Sequence, residues 1–91
     1  MEEKNEPHFT IAVLLEALKS FQRAHENTAN MIVQYSRAIV EAHNRGDKPE
    51  AMHQLSWMEM EVRNRERIFL SIRRAESAIR LLNRFTKPYR D

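Results

Sequence analysis

Inward-facing positions recur along the first half of the chain at alternating steps of three and four: Ile11, Leu14, Leu18, Phe21, His25, Thr28, Ile32, Tyr35, Ile39 and Ala42. This spacing keeps one face of an α-helix on one side throughout. The stretch AHENTANMIVQ, residues 24–34, interrupts the apolar run with a glutamate, two asparagines and a threonine. The phase does not slip across it, and a loop has no reason to preserve helical register. One unbroken helix is therefore predicted, with a soft spot at residues 26–30. Asn and Thr cost only about 0.5 kcal/mol each against Ala in a helix interior. Beside the stripe, Ala17, Ala24, Met31 and Ala38 repeat seven apart, a column narrow enough for a neighbouring helix to approach closely.

The second half shows the same steps at Leu55, Met58, Val62, Arg65, Phe69, Ile72, Glu76 and Ile79, flanked by Ile68, Ala75 and Leu82. Punctuation places the ends. Thr10 is suited to capping a helix from Ile11, with Phe9 and Leu14 as a hydrophobic staple. Gly46 supplies a left-handed stop. Asp47 then caps the second helix, with Pro49 in the first turn and Glu50 placed as in a capping box. Pro88 ends it. The expected architecture is all-α: a single domain over residues 1–91, with helices at about 11–44 and 49–86 joined by a turn at 45–48. So short a connection makes the helices an antiparallel hairpin.

A turn centred near residues 46–47 pairs positions whose numbers sum to about 93, so Thr28 lies opposite Arg65 and His25 opposite Ile68 or Phe69. The polar members of both stripes meet at one level. His25, Thr28 and Arg65 are thus expected to form a buried polar layer that fixes register at some cost in stability.

Two helices bury one stripe each and leave two broad faces wet, and a small domain has little burial to spare. Val33 and Val40 on the first helix, and Trp57 and Met60 on the second, lie outside the expected stripes. Apolar surface wider than one seam implies a further neighbour. These four residues are the candidate partner-binding positions, in a homodimeric four-helix bundle or in a hairpin docked on a different protein. Methionine adapts to irregular apolar partners and tryptophan is enriched at binding hot spots.

Composition narrows the chemistry. The 91 residues include one glycine, three prolines and no cysteine. That argues against a β fold and a Gly-rich phosphate loop, and it removes disulfides, thiolate zinc ligands and a thiol nucleophile. The start MEEKNEPH is polar and acidic, unlike a signal peptide, and no stretch approaches a membrane span, so a cytoplasmic protein is expected. The serines have no base at a suggestive spacing. Glu50 and His53 sit three apart, as in the Glu-x-x-His pairs of carboxylate-bridged metal sites, with Glu41 and His43 just across the turn. Glu50 already has a capping role, however, and two such residues on one helix are a common coincidence. Neither a metal site nor a cofactor is expected. His25 reads as an interior histidine rather than a catalytic base.

Charge is divided unevenly. Residues 1–62 carry six Lys/Arg against ten Asp/Glu, and residues 63–91 carry nine against three. Arg73, Arg80, Arg84 and Lys87 form one basic stripe and Arg63, Arg67 and Arg74 another. Spaced cations suffice for phosphate contacts, so this face suits nucleic acid or an acidic partner. Cations near a helix C-terminus also favour the macrodipole without any ligand, and no nucleic-acid motif accompanies them. The expectation is a non-catalytic protein–protein interaction module, such as an assembly factor, chaperone, adaptor or inhibitor. An RNA- or DNA-binding helical-bundle dimer is the alternative.

Overall fold

In a computed structural model, the chain forms an antiparallel hairpin of two long helices, α1 (Glu2–Asn44) and α2 (Lys48–Thr86). The structure describes the backbone of residues 2–86 and the side-chain surroundings of residues 7–86. Lys87 and the expected stop at Pro88 therefore lie outside the described residues. The hairpin measures 67 × 22 × 14 Å and has a radius of gyration of 20.3 Å. A compact chain of this length would have about 12 Å, so the molecule is a slab with two broad faces.

α1 runs unbroken through residues 26–30. Of the polar residues there, Glu26, Asn27 and Asn30 face solvent and only Thr28 turns inward. Its hydroxyl donates to the His25 carbonyl at 2.6 Å, a back-bond that satisfies a mid-helix threonine without opening the helix.

The beginning of α1 differs from expectation. The helix starts at Glu2 and passes through Pro7, so Thr10 lies in its interior rather than at its cap. Pro7 removes a single N–H in the second turn and leaves the helix unbroken. Phe9, the expected staple residue, is 67% exposed.

The turn is closed by a Schellman motif. Gly46, at φ 77°, donates to the His43 carbonyl, and Asp47 N–H donates to Ala42, both at 2.9 Å. Only a residue that accepts positive φ fits there. Asp47 also opens α2, since its Oδ1 accepts from the Glu50 N–H at 3.2 Å. The other half of the expected capping box is missing. Asp47 N–H is already engaged, and Glu50 Oε2 instead accepts from the Gln54 side-chain amide at 2.7 Å.

The seam of α1 follows the expected stripe, and the Ala17, Ala24, Met31 and Ala38 column is half-buried beside it. On α2 the seam is turned by about one column. Met58, Arg65, Ile72 and Ile79 face α1 as expected, but the second column is Gln54, Glu61, Ile68, Ala75 and Leu82. Val62 and Phe69, expected inside, are exposed, and Ile72 and Ala75 are the buried residues of α2. Leu55 and Glu76 of the expected column remain half-buried, and the small, buried Ala75 lets the helices close at its level. Glu61, in the chosen column, is only half-buried and accepts from the Asn64 amide at 3.4 Å.

Candidate partner-binding surface

The register places the polar residues of both seams together. Arg65 reaches across from α2 and donates through Nη1 to the His25 carbonyl at 2.6 Å and to Thr28 Oγ1 at 3.2 Å. Thr28 is 3% exposed. The His25 side chain takes no part in these bonds; its ring lies 6.1 Å from that of Phe69. Among the described residues, no buried side-chain nitrogen or oxygen lacks a partner. The layer is thus a guanidinium shared between a hydroxyl and a carbonyl, with no carboxylate in it.

Cross-helix contacts orient the two broad faces. Tyr35 meets Trp57 with ring centroids 6.3 Å apart, and Leu14 and Phe21 share a depression with Ser71, Arg74 and Ala78. These contacts border one face. His25 with Phe69, and Ser36 Oγ with Met58 Sδ at 3.4 Å, border the other. In an antiparallel pair, residues one before Met58, Arg65 and Ile72 flank one edge of the seam, and those one after Glu61 and Ile68 flank the opposite edge. Trp57 belongs to the first group, Val62 and Phe69 to the second.

The four candidate positions are all exposed, but they do not form one patch. By this register Trp57 and Met60 share the first face with Val13, Leu81 and Phe85, all exposed. Trp57 is 49% exposed, flanked by Tyr35 and stacked on His53 with centroids 6.3 Å apart. Val33 and Val40 lie on the second face with Leu15, Met52, Val62 and Phe69, also exposed. A groove of about 690 Å³ opens on that side, lined by His25, Val62, Arg65, Glu66, Phe69 and Leu70. Val62 and Phe69 were not among the expected surface residues. No signal in α2 alone marks them, since Leu55 and Glu76 of the same column stay half-buried.

The basic residues are also divided. Arg73 and Arg80 lie on the Phe69 side, with the Arg73 guanidinium 5.7 Å from the Phe69 ring centroid. Arg67 and Arg74 lie on the Trp57 side, while Arg63 and Arg84 point to the back of α2. All six are exposed, and none forms an ion pair among the described residues. Near the turn, Glu50 is held by Gln54 and His53 stacks on Trp57. No group of three or more metal-ligating side chains occurs among the described residues. Nor is any described helix long and apolar enough to cross a membrane.

Comparison with known protein families, with curated proteins and with solved structures finds no match.

Proposed function

We propose that the chain is a non-catalytic protein–protein interaction module that works as a self-associating or partner-docking helical hairpin. The observation that carries this reading is surface. The hairpin exposes 7326 Å², whereas a compact monomer of 10.9 kDa exposes about 5,600 Å². Large apolar side chains on both broad faces are exposed, among them Val13, Trp57, Met60, Phe69 and Phe85. Such side chains left in water are the usual mark of an interface. A four-helix bundle made by association would cover one of these faces on each hairpin.

The alternative, a nucleic-acid binder, is favoured by exposed arginines of α2 that form no ion pair among the described residues, including Arg73, Arg80 and Arg84. One pair of measurements separates the readings. Light scattering at micromolar concentration should give a mass above 10.9 kDa, and mixed-sequence RNA or DNA should not bind at low salt. A chain that stays monomeric and binds such oligonucleotides, with affinity falling steeply as salt rises, would overturn the interaction-module reading.

A further inference from the structure

The geometry points to a second copy of this chain as the occupant of the Phe69 face, laid antiparallel across it so that the turn of each copy covers the open end of the other. This rests on the reading of the chain as an interaction module and adds which face is used, by what, and in which orientation.

Area and charge carry the proposal. The face extends over 67 × 22 Å, ample for the roughly 800 Å² per partner of a standard interface. Its outer column on α2 reads Glu59, Glu66, Arg73, Arg80, acidic toward the turn and basic toward the open end. All four residues are exposed and free of ion pairs among the described residues. A two-fold axis crossing α2 beside Phe69 sets Glu66 against Arg73 of the second copy and Glu59 against Arg80, each contact occurring twice. The same axis can be checked on α1 through the hairpin register. It brings Lys19, which also pairs with Glu16 of its own helix at 4.0 Å, to the level of Glu26 of the second copy, and Leu15 to the level of Val33, each within one helical turn. The residues of α1 are therefore compatible with the axis set by α2.

A parallel arrangement fails this test, because it places the acidic halves together and the basic halves together. The Trp57 face fails it as well. On that face Arg67 and Arg74 of α2 would meet their own like charges across the axis. Phe69 supplies the apolar centre, with its ring between His25 and Arg73.

Charge exchange tests the proposal on the full chain. Glu66→Arg and Arg73→Glu each replace two attractive contacts per dimer with two repulsive ones, so each variant alone should associate at least about tenfold more weakly. An equimolar mixture of the two restores every contact and should associate within about threefold of the original chain. Sedimentation velocity reads association, and circular dichroism confirms that these exposed positions leave helix content unchanged. Phe69→Ser should weaken association as strongly, whereas Trp57→Ala should leave it unaltered.

Failure of the mixture to recover overturns the proposal. If Trp57→Ala weakens the dimer and Phe69→Ser does not, the interaction-module reading survives and the choice of face falls. If the unaltered chain remains monomeric at every concentration, the second copy is excluded as occupant. The broader reading is then decided separately by its oligonucleotide measurement.

Discussion

At the scale of single residues, the layer around Arg65 separates register from stability. Arg65 donates to two acceptors, but neither depends on it: Thr28 already bonds to the His25 carbonyl. Removing the guanidinium therefore strands no buried donor, and a branched apolar side chain there gains seam contacts. Arg65→Leu should shift unfolding free energy in urea by no more than about 1 kcal/mol in either direction. A loss above about 3 kcal/mol would show instead that the layer is a network whose members depend on one another. Trp57 is a second residue whose surroundings make a prediction. It is the only tryptophan and is half exposed beside Tyr35 and His53. If a second copy covers the Phe69 face, Trp57 emission should stay at the same wavelength through a dilution series that dissociates the dimer. A blue shift on association would place the contact on the tryptophan side.

At the scale of elements, α1 is one helix whose parts differ in support. Residues 26–30 are tied to α2 through Thr28, whereas residues 3–9 lie at the end of α1 and contain Pro7. Hydrogen exchange should accordingly be slower at residues 26–30 than at residues 3–9, in spite of the asparagines. Exchange at random-coil rates in residues 26–30 would break α1 into two helices. The α1 stripe and the turn were legible in the sequence because their causes are local: a preserved phase, a glycine at positive φ, an aspartate after it. The start of α1 was not legible, since Thr10 and Phe9 imitate a cap and staple that a helix already running from Glu2 does not use. Nor was the roll of α2. Its two candidate columns differ by one residue, and each contains apolar side chains and one half-buried glutamate, Glu61 or Glu76, so neither pattern excludes the other. That roll in turn determines which faces carry Trp57 and Phe69, so the split of the candidate surface was out of reach of either helix read alone.

At the scale of the whole molecule, stability and association are one quantity if the broad faces are covered only in an assembly. The thermal midpoint should then rise with protein concentration, by about 3–4 °C per tenfold for a dimer of this size. A midpoint independent of concentration would describe a hairpin that stands alone. The turn adds a different consequence. Every seam contact could be made equally well by α2 of another chain, and what keeps the pairing within one molecule is the reversal at Gly46. An added Cβ at Gly46 would meet no atom within 4 Å, so the strain of Gly46→Ala is purely backbone, about 1–2 kcal/mol. Straightening residues 45–47 into helix relieves that strain but puts Pro49 inside the helix against the Arg45 carbonyl, at a cost of about 3 kcal/mol. With Pro49→Ala as well, α1 and α2 fuse into a single rod of about 125 Å. Two such rods, side by side and antiparallel, would reproduce the seam twice over. Gly46→Ala with Pro49→Ala should therefore convert hairpins into domain-swapped pairs as concentration rises, seen in small-angle scattering as a doubling of particle length with helix content unchanged, whereas Gly46→Ala alone should remain a hairpin.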